Sequence, residues 1–192
     1  MRVTVVEPHN DDAWLSMGGY LSQLLAAGHK VRVLTVLRNS GNAAGESAGL
    51  RLFGVEVVAS NFYAPAYPKW REGTYFTADR IHAWLAQALD EQSDEVWCPV
   101  GLVHPEHILV ADAPALARAG RYLELPAGFV KKNRALLPSR LEKWGAKYTV
   151  EHSPPGQKAL VIKRVYKSQG WLIRFHHKEL DLTEETRFRV AP

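Results

Sequence analysis

The run Val3-Thr4-Val5-Val6 constrains the fold of this chain more than any other stretch. Three valines and a threonine, all β-branched, suit a strand covered on both faces, as strands are in a parallel sheet between helical layers. Pro8 is expected to end that strand. From Asp11 or Asp12 a different pattern starts. Trp14, Leu15, Leu21, Leu24 and Leu25 recur at helical spacing, and carboxylates stand where an N-cap and first turn favour them. Residues 30–37, 55–59 and 94–100 repeat the strand signal. Residues 79–91 read as an amphipathic helix with Ile81, Trp84, Leu85, Ala88 and Leu89 on one side. This alternation implies an α/β fold: a single Rossmann-like domain with a mostly parallel sheet and helices on both faces.

Between the first strand and helix lies His9-Asn10-Asp11-Asp12. A strand-to-helix turn in an open parallel sheet stands at the carboxyl ends of the strands, where such folds hold ligands. It also lets neighbouring side chains converge, which a strand forbids. His9 and Asp12 together suit a zinc ion, and Asp11 between them could stay unligated beside a bound water. A third ligand has to come from elsewhere. After the strand at 94–100 follows His104-Pro105-Glu106-His107, read as a polar loop on the same edge of the sheet.

These two clusters, with Gly18-Gly19 after the first and Lys158-Ala159 and Tyr166-Lys167-Ser168-Gln169 near the end, resemble the LmbE/PIG-L family of metal-dependent N-acetylglucosaminyl-type deacetylases. The resemblance spans residues 1 to about 170. It implies His9, Asp12 and His107 as metal ligands, Asp11 as general base, and His104 as the charged group that supports a tetrahedral intermediate, oriented by Glu106. The implied cofactor is zinc, with ferrous iron as the alternative. The implied substrate is a small N-acylated molecule, an amino sugar being the expected class. Four positions depart from the family pattern. Asn10 replaces a proline, Ala13 a glutamate and Glu106 an aspartate, and Ala43 stands where an arginine precedes Glu46 by three residues. The loss at Ala13 is expected to remove a carboxylate near the site.

Two other readings use the same residues. Two histidines and a carboxylate also describe the iron site of oxygenases, although those sit on antiparallel strands. A binding protein that keeps the fold but not turnover would be compatible with the changes at Ala13 and Ala43.

The remaining features exclude more than they assign. A chain of 192 residues, 46% hydrophobic and 23% charged, reads as one globular domain, with 1–170 as its body and 171–192 as a tail packed on it or extended. No apolar run is long enough for a membrane span, and Met1-Arg2-Val3 enters a strand without a signal layout, so a cytoplasmic protein is expected. The net charge of +4 lacks interleaved aromatics, which argues against nucleic acid as a partner. Cys98 reads as an inert core residue. Residues 39–45 form a glycine-rich loop at the site's edge, and the aromatic stretch 61–77 either walls a pocket or covers a sheet edge. Oligomeric state is left open.

Overall fold

A computed structural model describes residues 1–38, 43–62, 77–89, 92–125, 131–145, 147–154, 161, 164, 165 and 185–191. Residues 39–42 of the glycine-rich stretch, most of the aromatic stretch, the motif residues Lys158-Ala159 and Tyr166 to Gln169, and His176-His177 lie outside them, and residues 43–45, expected in the loop, open a helix instead.

The chain alternates strands and helices: β1 (Arg2–His9), α1 (Asp12–Ala26), β2 (Lys30–Leu37), α2 (Ala43–Leu52), β3 (Val55–Ala59), α3 (Ala78–Ala88), β4 (Glu95–Pro99), α4 (Pro105–Ala111), a 3-10 turn (Pro114–Leu116), β5 (Gly120–Tyr122), α5 (Lys131–Arg134), α6 (Leu137–Glu142), β6 (Tyr148–Ser153) and β7 (Glu185–Val190). They build one seven-stranded sheet in the order β3-β2-β1-β4-β5-β7-β6. The first five strands are parallel, and β7 pairs antiparallel with both β5 and β6. Strand order reverses between β1 and β4, and in an open α/β sheet a crevice opens at that point, outside the carboxyl ends of the strands.

Both faces of the sheet are covered, as the valine run requires. Val3 and Val5 pack with Trp14, Met17 and Leu21 of α1 and Leu50 of α2 on one face. Val6, Leu34 and Val36 pack with Ile81 and Leu85 of α3 and Val110 of α4 on the other. Among the described residues no helix is long and apolar enough to cross a membrane.

Pro8 does not end β1. The pairing with β2 steps from Glu7↔Thr35 to His9↔Leu37 and skips the proline, while the pairing with β4 has already stopped at Val5. A missing donor is tolerated where no ladder bond is asked of it. The second motif is not a loop either. His104 is the N-cap of α4, Pro105 fills its first position, and Ile108 to Ala111 continue it. The proline's fixed φ suits a first helical turn. Pro138 likewise stands in the first turn of α6, just after the break that separates it from α5.

The strand β7 carries no sequence pattern of its own. Its Glu185 is fully buried, and its carboxylate accepts the Gly19 and Tyr20 N–H groups of α1 at 2.7 and 3.0 Å. The last strand is thereby tied to the first helix.

Gly120 opens β5 because a side chain has no room there. A Cβ at that position would lie 2.5 Å from Cε3 of the buried Trp97. Gly120→Ala is therefore expected to lower stability by about 1–3 kcal/mol, the usual result of overpacking a filled core, read as a lower denaturant midpoint at unchanged slope.

Candidate metal centre

The turn that follows β1 is held from within and from below. Asp12, the first residue of α1, accepts the His9 N–H on Oδ2 at 2.8 Å, closing the turn on itself. Asp11 precedes the helix but makes no capping bond with its side chain, and it is buried. Beneath the turn, Glu7 accepts the Thr35 hydroxyl at 2.7 Å and the Ala13 N–H at 3.1 Å. Burial pushes its carboxyl well above the usual range, and the nearby Asp12 and Asp11 push the same way. The carboxyl group expected to be missing beside Ala13 thus arrives from the strand. Sequence reasoning passed over Glu7, although a glutamate inside a run covered on both faces must have partners. Asn10, also buried, donates from Nδ2 to the fully buried Glu46 of α2.

The other side of the crevice is built by the end of β4 and the start of α4. Gly101 has φ +74°, and a Cβ there would sit 2.9 Å from that of Ala111 and 3.0 Å from the Ile108 backbone, so only glycine lets the chain pass. Glu124 accepts the N–H groups of Gly101 and Leu102 at 2.7 and 3.1 Å. The cap bond runs from the Glu106 N–H to Nδ1 of His104 at 3.3 Å. His107, one turn into α4, is buried against β1.

Three side-chain atoms meet in the crevice. His9 Nδ1 is 3.2 Å from Asp12 Oδ2, His107 Nε2 is 3.2 Å from the same oxygen, and the two nitrogens are 3.3 Å apart. A tetrahedral ion with bonds of about 2.0 Å separates its ligands by about 3.3 Å, so this triangle has the size of one face of a zinc polyhedron. His104 offers a nitrogen within 4.8 Å of those of His9 and His107, but it is half exposed and lies outside the tight triangle. It borders the site instead of closing it.

Each inner imidazole has a carboxylate on its far nitrogen. Glu106 Oε2 is 2.6 Å from His9 Nε2, and Glu124 Oε1 is 3.5 Å from His107 Nδ1. Such outer partners fix the orientation and tautomer of ligating histidines. This corrects the expectation that Glu106 orients His104: the carboxylate is 3.7 Å from His104 Nδ1 and much closer to His9. The glutamate's extra methylene accounts for that reach. The sequence offers Glu106 as a partner but not for His9, 97 residues away, and it gives no sign of Glu124 as the partner of His107.

The charges follow from burial and proximity. Burial alone would push the His9 imidazole down, but Asp12 and Glu106 outweigh it and lift it to about 10. His107, with Asp12 and Glu124 opposing its burial, stands at about 9. Burial would raise Asp12, yet the two imidazoliums hold it well below the usual carboxylate range. Asp11 is lifted to about 7 by burial and by the Asp12 charge, with His9 pulling the other way. His104 is lowered by burial and by the charges on His107 and His9. A neutral His104 is thus favoured over the imidazolium expected from sequence, and its cap bond leaves Nε2 to carry the proton.

These values fix a sign. At pH 7 both inner imidazoles hold protons that a cation must displace, so binding one zinc ion is expected to release about two protons, and affinity to tighten as pH rises towards 9–10. The chelator-treated protein should behave oppositely. Stability from the raised histidines is complete below 6.5 and lost as pH climbs through 9–10, while ionising Asp11 costs stability between 3.8 and 7. Calorimetry in buffers of different ionisation enthalpy checks the proton count. Melting scans from pH 6 to 10 should show a falling midpoint without metal and a growing rise on adding zinc.

His29, His82 and Cys98 lie away from this site. His29 is at the opposite end of β2, 3.4 Å from the amino terminus. His82 contacts the Leu109 carbonyl at 3.1 Å. Cys98 is buried, and burial pushes its thiol up to about 11.

Fold and site together define an α/β protein with a His-Asp-His pocket at the switch point of its sheet. Neither a protein-family model nor a curated protein matches the chain. Solved structures do. A deacetylase from the biosynthesis pathway of teicoplanin superposes with a TM-score of 0.73 at 20% identity, over 100% of this chain and 98% of that one. The A40926 pseudoaglycone deacetylase gives 0.66 at 20% identity, over 99% and 97%. The zinc-inhibited form of a teicoplanin deacetylase gives 0.66 at 18% identity, over 100% and 98%. The chain shares their fold along its whole length.

Proposed function

We propose that this chain is a metal-dependent amide hydrolase of the LmbE/PIG-L family that removes an acyl group, acetyl in the simplest case, from a small N-acylated amine such as an amino sugar. The observation that carries this reading is the 3.2–3.3 Å triangle of His9, Asp12 and His107 with the unliganded carboxyl of Asp11 next to it in the chain. The deacetylases that share the fold support it.

His9, Asp12 and His107 would hold the ion, and their two nitrogens and one oxygen suit zinc while also admitting ferrous iron. A bound divalent cation lowers the pKa of water to about 7 and polarises a carbonyl. Asp11, poised near 7 by burial and its neighbour, accepts a proton from the attacking water and returns it to the departing amine. A cation beside it would hold that value lower, towards the base form. His104 Nε2–H is the donor left for the oxygen on which charge develops. The buried carboxyls of Glu7 and Glu46 hold the turn that carries these groups.

Acetate release from N-acetylglucosamine and related N-acylated amines, measured with chelator, zinc, cobalt and ferrous iron, tests the reading. Release is expected only with metal. Because one protein of this fold has a zinc-inhibited form, zinc should be titrated through one equivalent, not supplied in excess. A purified protein that binds no divalent ion, or one that consumes oxygen with ferrous iron, would overturn it.

A further inference from the structure

We infer that Glu106 is a positioning residue for His9, fixing which of its ring nitrogens faces Asp12 and His107. The inference rests on the metal-site reading above. A ligating imidazole must present one bare nitrogen, and which one is bare depends on what the other nitrogen bonds. Nδ1 of His9 is the atom in the triangle, at 3.2 Å from Asp12 Oδ2, and Nε2 is 2.6 Å from Glu106 Oε2. A carboxylate only accepts, so when a cation displaces the proton between Nδ1 and Asp12, Glu106 holds the remaining proton on Nε2.

The fold gives Glu106 this reach. It occupies the second position of α4, behind the cap His104 and the rigid Pro105, and its side chain is largely buried at 15% exposure. From there it spans the switch point from the β4 side to the end of β1. His104 does not compete for it, since Nδ1 of His104 is already engaged by the Glu106 backbone N–H. Chain length is decisive. An aspartate here would end one methylene short, about 1.3–1.5 Å, and stretch the 2.6 Å contact to about 4 Å, beyond hydrogen-bond range. His107 does not depend on such reach, because Glu124 is fixed by two backbone N–H groups.

The test compares the wild type with Glu106→Asp and Glu106→Gln, each checked for fold by circular dichroism. Zinc affinity is measured by competition with a chromophoric chelator, and the site of the His9 ring proton by long-range proton–nitrogen correlation spectra of the zinc-loaded proteins. Glu106→Asp is expected to weaken zinc by about 10–100-fold and to leave the His9 Nε2 proton of the zinc-loaded protein without its acceptor, so that its signal shifts and exchanges faster with solvent. Glu106→Gln keeps the length and an acceptor oxygen, so His9 should keep its Nε2 proton and zinc should weaken by less than in Glu106→Asp. A Glu106→Asp variant with wild-type zinc affinity and wild-type His9 signals overturns the inference while leaving the hydrolase reading intact. A wild type that binds no zinc overturns that reading and this inference with it.

Discussion

Asp11→Asn is expected to lower the rate of acyl release by about 10²–10⁴-fold, the range lost when a positioned proton acceptor is removed, while the protein still binds one metal ion. Asparagine has the same shape as aspartate but cannot take a proton at neutral pH. Asp11 makes no capping bond, so the helix it precedes loses no hydrogen bond on substitution. The change also removes a buried carboxyl raised to about 7, whose ionisation opposes folding, so stability should be unchanged or higher near neutral pH. Activity and stability therefore move in opposite directions, which distinguishes a catalytic loss from misfolding. Activity within threefold of wild type would remove Asp11 from the mechanism.

His107→Ala is expected to weaken zinc by about 10²–10³-fold. Tight four-ligand sites release about 10–16 kcal/mol, or about 2.5–4 kcal/mol for each ligand, and this variant gives up one of three protein ligands. Unlike the Asp11 change it should also destabilise the chelator-treated protein. His107 holds its proton to about pH 9 because it faces Asp12 and Glu124, and removing that cation leaves buried carboxylates without an opposing charge. Equilibrium dialysis for the metal and a melting scan with chelator read the two effects separately. Stoichiometric zinc retained in this variant would place the site elsewhere.

Much of this arrangement is legible in the sequence, for identifiable reasons. The strands at 30–37 and 55–59 are read to the residue because β-branched runs bounded by polar residues or glycine leave little choice. His9 and Asp12 stand out because they cluster at a strand end, on the edge where an α/β alternation also brings the second histidine cluster, while the choice of His107 within that cluster comes from the family resemblance. What escapes is the outer layer. Glu7, Glu124 and Glu185 are each buried, and the groups their carboxylates bind lie from 6 to 166 residues away, while Glu106 is read as the partner of His104 and instead reaches His9. A glutamate in an apolar run announces that a partner exists, not which one. The helical character of the second motif was hidden by length, since α4 has only 7 residues and shows no full period. The strand β7 was hidden for a related reason. Its Thr186, Phe188 and Val190 are separated by arginines, and those are buried or half-buried against the sheet, where Arg187 lies over the Tyr20 ring at 3.8 Å.

The placement of β7 also bears on how the protein is made. The strand β7 sits between β5 and β6 although it follows both in the chain, and its Glu185 reaches back 166 residues to the helix that starts at the candidate metal pocket. On the ribosome, the crevice can assemble once Glu124 has emerged, but α1 stays without its distant anchor until Glu185 follows. A nascent chain stalled before residue 185 would thus carry the pocket on a helix not yet locked in place.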